Sequence, residues 1–144
     1  MDVNDIDGVM NMKELIEDFE KCNPADINTI KEAEIAMGRI FPDEYKEFLL
    51  NTNGIEGPIG EEGYVCIWPI DEIVELNESY SVQEFMKGVV YFGSDGGDIA
   101  YGFDYNYDVP MIIEIPFESI HIEDAKICSN SFIEFIKRLK EKEY

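Results

Sequence analysis

Between two apolar, aromatic runs, Gly93-Ser94-Asp95-Gly96-Gly97-Asp98 combines backbone-exposing glycines with carboxylates. Such a mixture could cradle a phosphate, ligate a hard cation, or turn one strand onto the next. A phosphate cradle needs glycines that open a helix, so that free N–H groups and the helix dipole face the anion. Here "IAYGFDY" follows, which reads as a strand, and the loop holds no lysine. A calcium loop needs several carboxylates at alternating positions and a bidentate Glu further on. Asp95 and Asp98 lack that pattern. The segment therefore reads as a hairpin turn, with Gly96-Gly97 supplying positive φ angles.

Other reactive residue types are scattered. With 32 Asp plus Glu in 144 residues, pairs such as Glu61-Glu62, or Asp104 with Asp108, arise by chance and are no sign of acid–base chemistry. His121, the single histidine, sits between Ile120 and Ile122 and reads as a structural residue at a strand edge. Cys66, between Val65 and Ile67, reads as a buried core thiol, and Cys128 has no base near it in sequence. Trp68 is assigned to the core, with a partner-facing role as the alternative. No catalytic set, no metal site and no cofactor is expected.

Charge is the dominant compositional feature. Eleven Lys plus Arg against the 32 acids leave a net charge of −21. That surface repels nucleic-acid backbones and anionic membranes and attracts a basic protein, with fast, salt-sensitive encounter. Three cysteines, Cys22, Cys66 and Cys128, form no CxxC pair, so a disulfide framework or zinc site is not expected. The acidic N-terminus carries no apolar core of signal-peptide length. No run approaches the roughly 18 apolar residues of a membrane span. A cytoplasmic location is the expectation.

The elements that must position these residues follow from periodicity. Residues 1–10 are expected to be frayed and 11–144 to form one domain. Met12, Leu15, Ile16 and Phe19 recur at helical spacing. A second helix is opened by a Thr29–Glu32 capping box, or by Asn28, carries Ile30, Ala33, Ile35 and Met37, and is closed by Gly38. Pro42 starts a third in its first turn, with Phe41, Tyr45, Phe48 and Leu49 on one face and Asn53-Gly54 as its stop. "GIEGPIGEEG" reads as an acidic loop and "YVCIWPI" as a strand. Helical pieces follow from Asp71 to Lys87, then strands at 89–92, 99–103 and 111–115. A last helix, opened by Ser129 or Ser131, carries Phe132, Phe135, Ile136 and Leu139. Helices, a meander of strands and a closing helix make an α+β domain, with a central, curved, mainly antiparallel sheet.

One ordered set of motifs is more specific than any fragment. Phe41-Pro42-Asp43-Glu44-Tyr45-Lys46, then Asn53-Gly54, then Phe92, Gly93, Asp95, Gly96, Gly97, Tyr101 and Asp104, and finally Ser131, Phe132 and Phe135 occur in sequence over roughly residues 27 to 139. In that order the chain resembles the SUKH superfamily, which includes a fungal cell-wall-synthesis regulator and many bacterial immunity proteins. Two positions depart from the family pattern: Asp98 stands where a small residue is common, and Phe41 replaces the more usual leucine. The resemblance implies an α+β fold without enzymatic activity. It also implies binding and neutralisation of a cognate toxin, polymorphic or contact-delivered and often a nuclease. The alternative is a cytoplasmic regulatory scaffold with no toxin partner. A basic toxin would be met by the acidic loops, with the turn at 95–98 close to them. The candidate contacts are Glu56, Glu61, Glu62, Asp98, Asp104 and Asp108, with Tyr105 and Tyr107 as anchors.

Overall fold

The computed structural model describes residues 11–142. The expectation of fraying over residues 1–10 lies outside the described residues. Helix α1 (Met12–Ile16) opens with the Asn11 side chain accepting the Glu14 N–H at 2.9 Å. Its apolar positions Met12, Leu15 and Ile16, and Phe19 beyond it, are buried. Helix α2 (Ile27–Met37) is capped by Asp26, whose Oδ1 accepts the Asn28 N–H, so it starts earlier than the Thr29–Glu32 box predicts. Asp26 is as good a cap as threonine, and its extended backbone places it just before the first turn. Gly38 closes α2 in the left-handed conformation, as expected.

Helix α3 (Asp43–Asn51) takes Pro42 as its cap residue rather than in its first turn. Asp43 and Glu44 occupy that turn, where the helix dipole favours them. Phe41, Tyr45, Phe48 and Leu49 are all buried, as their spacing requires.

The "GIEGPIGEEG" stretch is not a loop. It contributes strand β1 (Ile55–Ile59), with Ile55, Gly57 and Ile59 buried and Glu56 and Pro58 exposed in alternation. Two glycines and a proline hide that alternation in the sequence. Pro58 is tolerated because β1 is the sheet's edge, where a missing N–H costs no ladder bond. Strands β2 (Gly63–Ile67), β3 (Val89–Ser94), β4 (Ile99–Asp104), β5 (Met111–Pro116) and β6 (Lys126–Ser129) complete the sheet. Their spatial order equals their chain order, and every pairing is antiparallel. Between β2 and β3 lie α4 (Ile70–Ser79) and the single turn α5 (Val82–Phe85), and the chain closes with α6 (Phe132–Glu141). Ser131, not Ser129, caps α6, its Oγ accepting the Glu134 N–H. Strand β6 escaped prediction because "KICS" is short and half exposed.

Helices α1, α3 and α6 pack against one another over one face of the sheet. Tyr45 sits at the centre of that core, with ring centroids of Phe41, Phe92, Phe103 and Phe132 between 5.0 and 5.6 Å away. Phe48, Phe132 and Phe135 are buried with it. The domain is therefore α+β, with N-terminal helices, an antiparallel sheet and a C-terminal helix.

Candidate partner-binding face

The turn at 95–98 joins β3 to β4, and its polar groups are satisfied internally. Asp95 Oδ1 accepts the N–H groups of Gly97 (2.8 Å) and Ile99 (3.2 Å), and Ser94 Oγ accepts that of Gly96 (3.1 Å). Those amides point at the protein's own side chains instead of outward. Gly96, not Gly97, carries the positive φ, +83°.

A meander sends successive hairpins to alternate ends of the sheet. The β1–β2 turn, with Glu61 and Glu62, shares one end with Asp98, since β2 leaves that end and the antiparallel β3 runs back to it, with Cys66 opposite Ser94. Tyr105, Tyr107 and Asp108 connect β4 to β5 and lie at the opposite end. The expected single acidic cluster is thus split in two. Asp104 leaves the set: it is 4% exposed, and its Oδ1 accepts the backbone N–H (2.9 Å) and side-chain amide (2.8 Å) of Asn106. Tyr105 is half-buried, donates its hydroxyl to Ile40 O (2.9 Å) and lies under the Arg39 guanidinium. Tyr107 and Asp108 are exposed. Glu56 is exposed and accepts the Tyr64 hydroxyl at 2.8 Å.

That contact belongs to a surface the sequence reading missed. Strand β2 alternates, Val65 and Ile67 inward, Tyr64 and Cys66 outward, while Trp68, next in the same series, is only 8% exposed against Tyr80 and Phe117, in keeping with its assignment to the core. Tyr64 lies against the hairpin turn, its ring 2.6 Å from where a Cβ on Gly96 would be. Trp68 stacks on Tyr80 at 6.5 Å and 7°, and Tyr80 on Phe117 at 4.6 Å and 30°. Phe117 is tied to the same turn by its N–H, which donates to Asp98 O at 2.8 Å. Tyr80 is 44% exposed. Residues Glu72, Leu76 and Tyr80 follow at i, i+4 and i+8 around α4, which places the Glu72 carboxylate on this side too. The period-two alternation of Tyr64 and Cys66 with Val65 and Ile67 was visible in "YVCI", and only the identity of the outward set was not.

The field at this face is negative. Burial pushes the Cys66 thiol up to about 11, and the Glu56 and Glu72 carboxylates push it the same way. Cys66 is therefore half-buried and outward, not a core thiol, and stays protonated at neutral pH. The hydrogen bond to the Glu56 carboxylate raises the Tyr64 hydroxyl. Cys128 is likewise held up, to about 11, by burial first and then by Glu114. Neither thiol is an activated nucleophile.

Ser119, His121 and Asp124 carry the residue types of a nucleophilic triad, but not its geometry. Ser119 Oγ donates directly to Asp124 Oδ2 and meets only the backbone of His121. His121 is exposed and precedes the 3₁₀ turn Ile122–Asp124, rather than lying at a strand edge. Among the described residues no three His, Cys, Asp or Glu side chains converge as a metal site would require, and no helix is long and apolar enough to cross a membrane.

Comparison with known proteins agrees with the motif order. A relative, "Uncharacterized protein YnaB" of Bacillus subtilis (strain 168), is 39% identical over 89 residues, which are 62% of this chain and 52% of that protein. The chain thus spans about half the length of the curated relative it matches. The family model of the SMI1 / KNR4 family (SUKH-1) matches residues 24–138, from just before α2 to within α6. The chain belongs to the SMI1 / KNR4 family, SUKH-1.

Proposed function

We propose that this chain is a non-enzymatic immunity protein that binds and neutralises a basic, nuclease-type toxin in the cytoplasm. Family membership supports the class of function, and the Cys66 and Cys128 thiols, both held protonated at neutral pH, agree with it. The observation that carries the reading is the outer face of β1–β2. There Glu56 and Glu72 flank the outward Tyr64 and Cys66, and the exposed Tyr80 ring, backed by Phe117 and the buried Trp68, extends the strip. Flat aromatic area with carboxylates beside it suits arginine- and lysine-rich surfaces, through stacking, cation–π attraction and charge pairing. Glu61, Glu62 and Asp98, at the adjoining end of the sheet, extend the negative field that would steer such a partner.

The test is co-purification with the product of the neighbouring gene, followed by stopped-flow association at several salt concentrations. Association should slow steeply as salt rises, because steering is screened beyond a Debye length of about 8–10 Å. Charge reversal of Glu56 and Glu72 to Lys should slow it by roughly tenfold or more without changing the unfolding midpoint appreciably. A salt-independent rate, untouched by those reversals, would place the interface elsewhere.

A further inference from the structure

Helix α2 is apolar on two sides. Ile30 and Ala33 face the core, yet Ile27 and Ile35 are 43% and 82% exposed, and Ile40 just beyond the helix is 70% exposed. Ile27, Lys31 and Ile35 stand at i, i+4 and i+8, so they form one ridge about 12 Å long on the solvent side. Lys31 and Arg39 bring positive charge to it, in a chain with only 11 basic residues. The end of the ridge is firmly held. Arg39 sits 5.3 Å over the Tyr105 ring, and the Tyr105 hydroxyl bonds Ile40 O.

On the other flank of α2 lies its seam with α4. Two cavities of about 220 and 260 Å³ run along it and share Ala36 and Val74, so they form one groove. Its floor is small and apolar, which admits the close approach of another helix. Its rim is acidic, with exposed Glu32 and Asp71 at one part and exposed Glu78 and Glu84 at the other. Among the described residues, neither the two cations of the ridge nor these four carboxylates form an ion pair. The chain therefore carries an apolar ridge with cations beside an apolar groove with carboxylates, and among the described residues none of these is matched by an opposite charge.

We infer that a second copy of this chain occupies the groove, each copy seating its Ile27–Ile35 ridge in the α2–α4 seam of the other. A two-fold interface presents the same patch on both copies, so it must be self-complementary, and a ridge and a groove of opposite charge side by side meet that condition. A net charge of −21 opposes self-association in general, and at this patch Lys31 and Arg39 offset that repulsion by facing the carboxylates of the other copy. This contact lies on the seam side of α4, at Asp71, Val74 and Glu78, while the toxin-binding face proposed above uses Glu72 and Tyr80. The two proposals can therefore fail separately.

Sedimentation velocity across the micromolar range tests it. The wild-type chain should pass from monomer to dimer with concentration, and Ile35→Asp, at a solvent-facing position, should weaken the dimer by roughly tenfold or more while the unfolding midpoint holds. A charge-swap pair makes the decisive arm. One variant carries Lys31→Glu and Arg39→Glu, the other Glu78→Lys and Glu84→Lys. Each alone should be monomeric, because like charges then face each other, and their mixture should dimerise. A wild-type chain that stays monomeric overturns the inference, as does a dimer indifferent to Ile35→Asp or a mixture that does not associate.

Discussion

The Asn77 side chain stands in for a strand against Tyr91. Its Nδ2 donates to Tyr91 O (2.9 Å) and its Oδ1 accepts the Tyr91 N–H (2.9 Å), so one amide from α4 satisfies both backbone groups of a β3 residue that β2 does not reach. A second Nδ2 bond, to Ile73 O at 2.8 Å, fixes the rotamer. Gln83 makes half of the same contact at the start of β3, donating to Val89 O at 2.8 Å, while the Val89 N–H bonds Met86 O.

Asn77→Ala should therefore be costly, because it orphans two buried backbone groups. At about 1–3 kcal/mol for each, a loss of about 3 kcal/mol or more is expected in urea unfolding. Asn77→Asp keeps the acceptor, loses the donor and buries a carboxylate, so it should not rescue. A near-neutral Asn77→Ala would show that this edge admits water.

Tyr45 gives the opposite expectation. Its hydroxyl is the buried side-chain polar atom without a hydrogen-bond partner among the described residues, and burial raises its ionisation well above the ordinary phenol value. Tyr45→Phe removes that unmet group and keeps the ring contacts, so stability should rise by about 1 kcal/mol. Phe48→Ala or Phe132→Ala, in the same cluster, should cost about 3–5 kcal/mol. A destabilising Tyr45→Phe would contradict this account.

Alkaline pH should weaken the fold through Cys66 and Cys128. Free thiols release their protons near 9, whereas both folded thiols hold theirs to about 11. The folded state binds these protons more tightly, so their contribution is complete below pH 9 and is lost as pH rises toward 11. A Cys66→Ala/Cys128→Ala variant should show a shallower fall in unfolding free energy over that window. Iodoacetamide at pH 8 should label exposed Cys22 well before either of the others.

The two turn glycines should respond differently. Gly96 has a φ of +83°, and a Cβ there would press on the Tyr64 ring, so Gly96→Ala should cost about 1 kcal/mol and displace Tyr64 from the proposed docking face. At Gly97 the nearest atom to a Cβ is Asp95 Oδ1 at 3.5 Å, an ordinary contact, and Gly97→Ala should be close to neutral. Toxin binding weakened by the first and unchanged by the second would tie the face to the turn.

Much of the architecture was legible because its signals are local. The apolar spacing of Phe41, Tyr45, Phe48 and Leu49 fixes α3, and the glycine-aspartate cluster between apolar runs fixes the β3–β4 hairpin. Strand β1 was not legible, because Gly57 and Pro58 carry turn chemistry that only an edge position excuses. The candidate contacts do not form one patch, for reasons of topology more than of chemistry. Glu61, Glu62 and Asp98 share one end of the sheet, but the number of strands between hairpins sends Tyr105, Tyr107 and Asp108 to the other. Asp104 looked like one more surface acid, and only the side chain of Asn106 reveals its use.

The junction between β2 and β3 is narrow. Two residue pairs join them, Cys66 with Ser94 and Ile67 with Gly93, with the Trp68 N–H adding one bond to Phe92 O at 3.0 Å. The strands meet so closely that a Cβ on Gly93 would stand 2.4 Å from Cys66 O. The β1–β2 hairpin is thus joined to the rest of the sheet by a short seam, while β3–β4 and β4–β5 are laced over five and six residue pairs. Its amides should exchange with deuterated solvent together, through an opening cheaper than global unfolding, as one cooperative unit. Tyr64 and Cys66 ride on that hairpin, so its opening would carry the proposed docking face with it and expose Ile55, Ile59, Val65 and Ile67, which line the core from the same two strands.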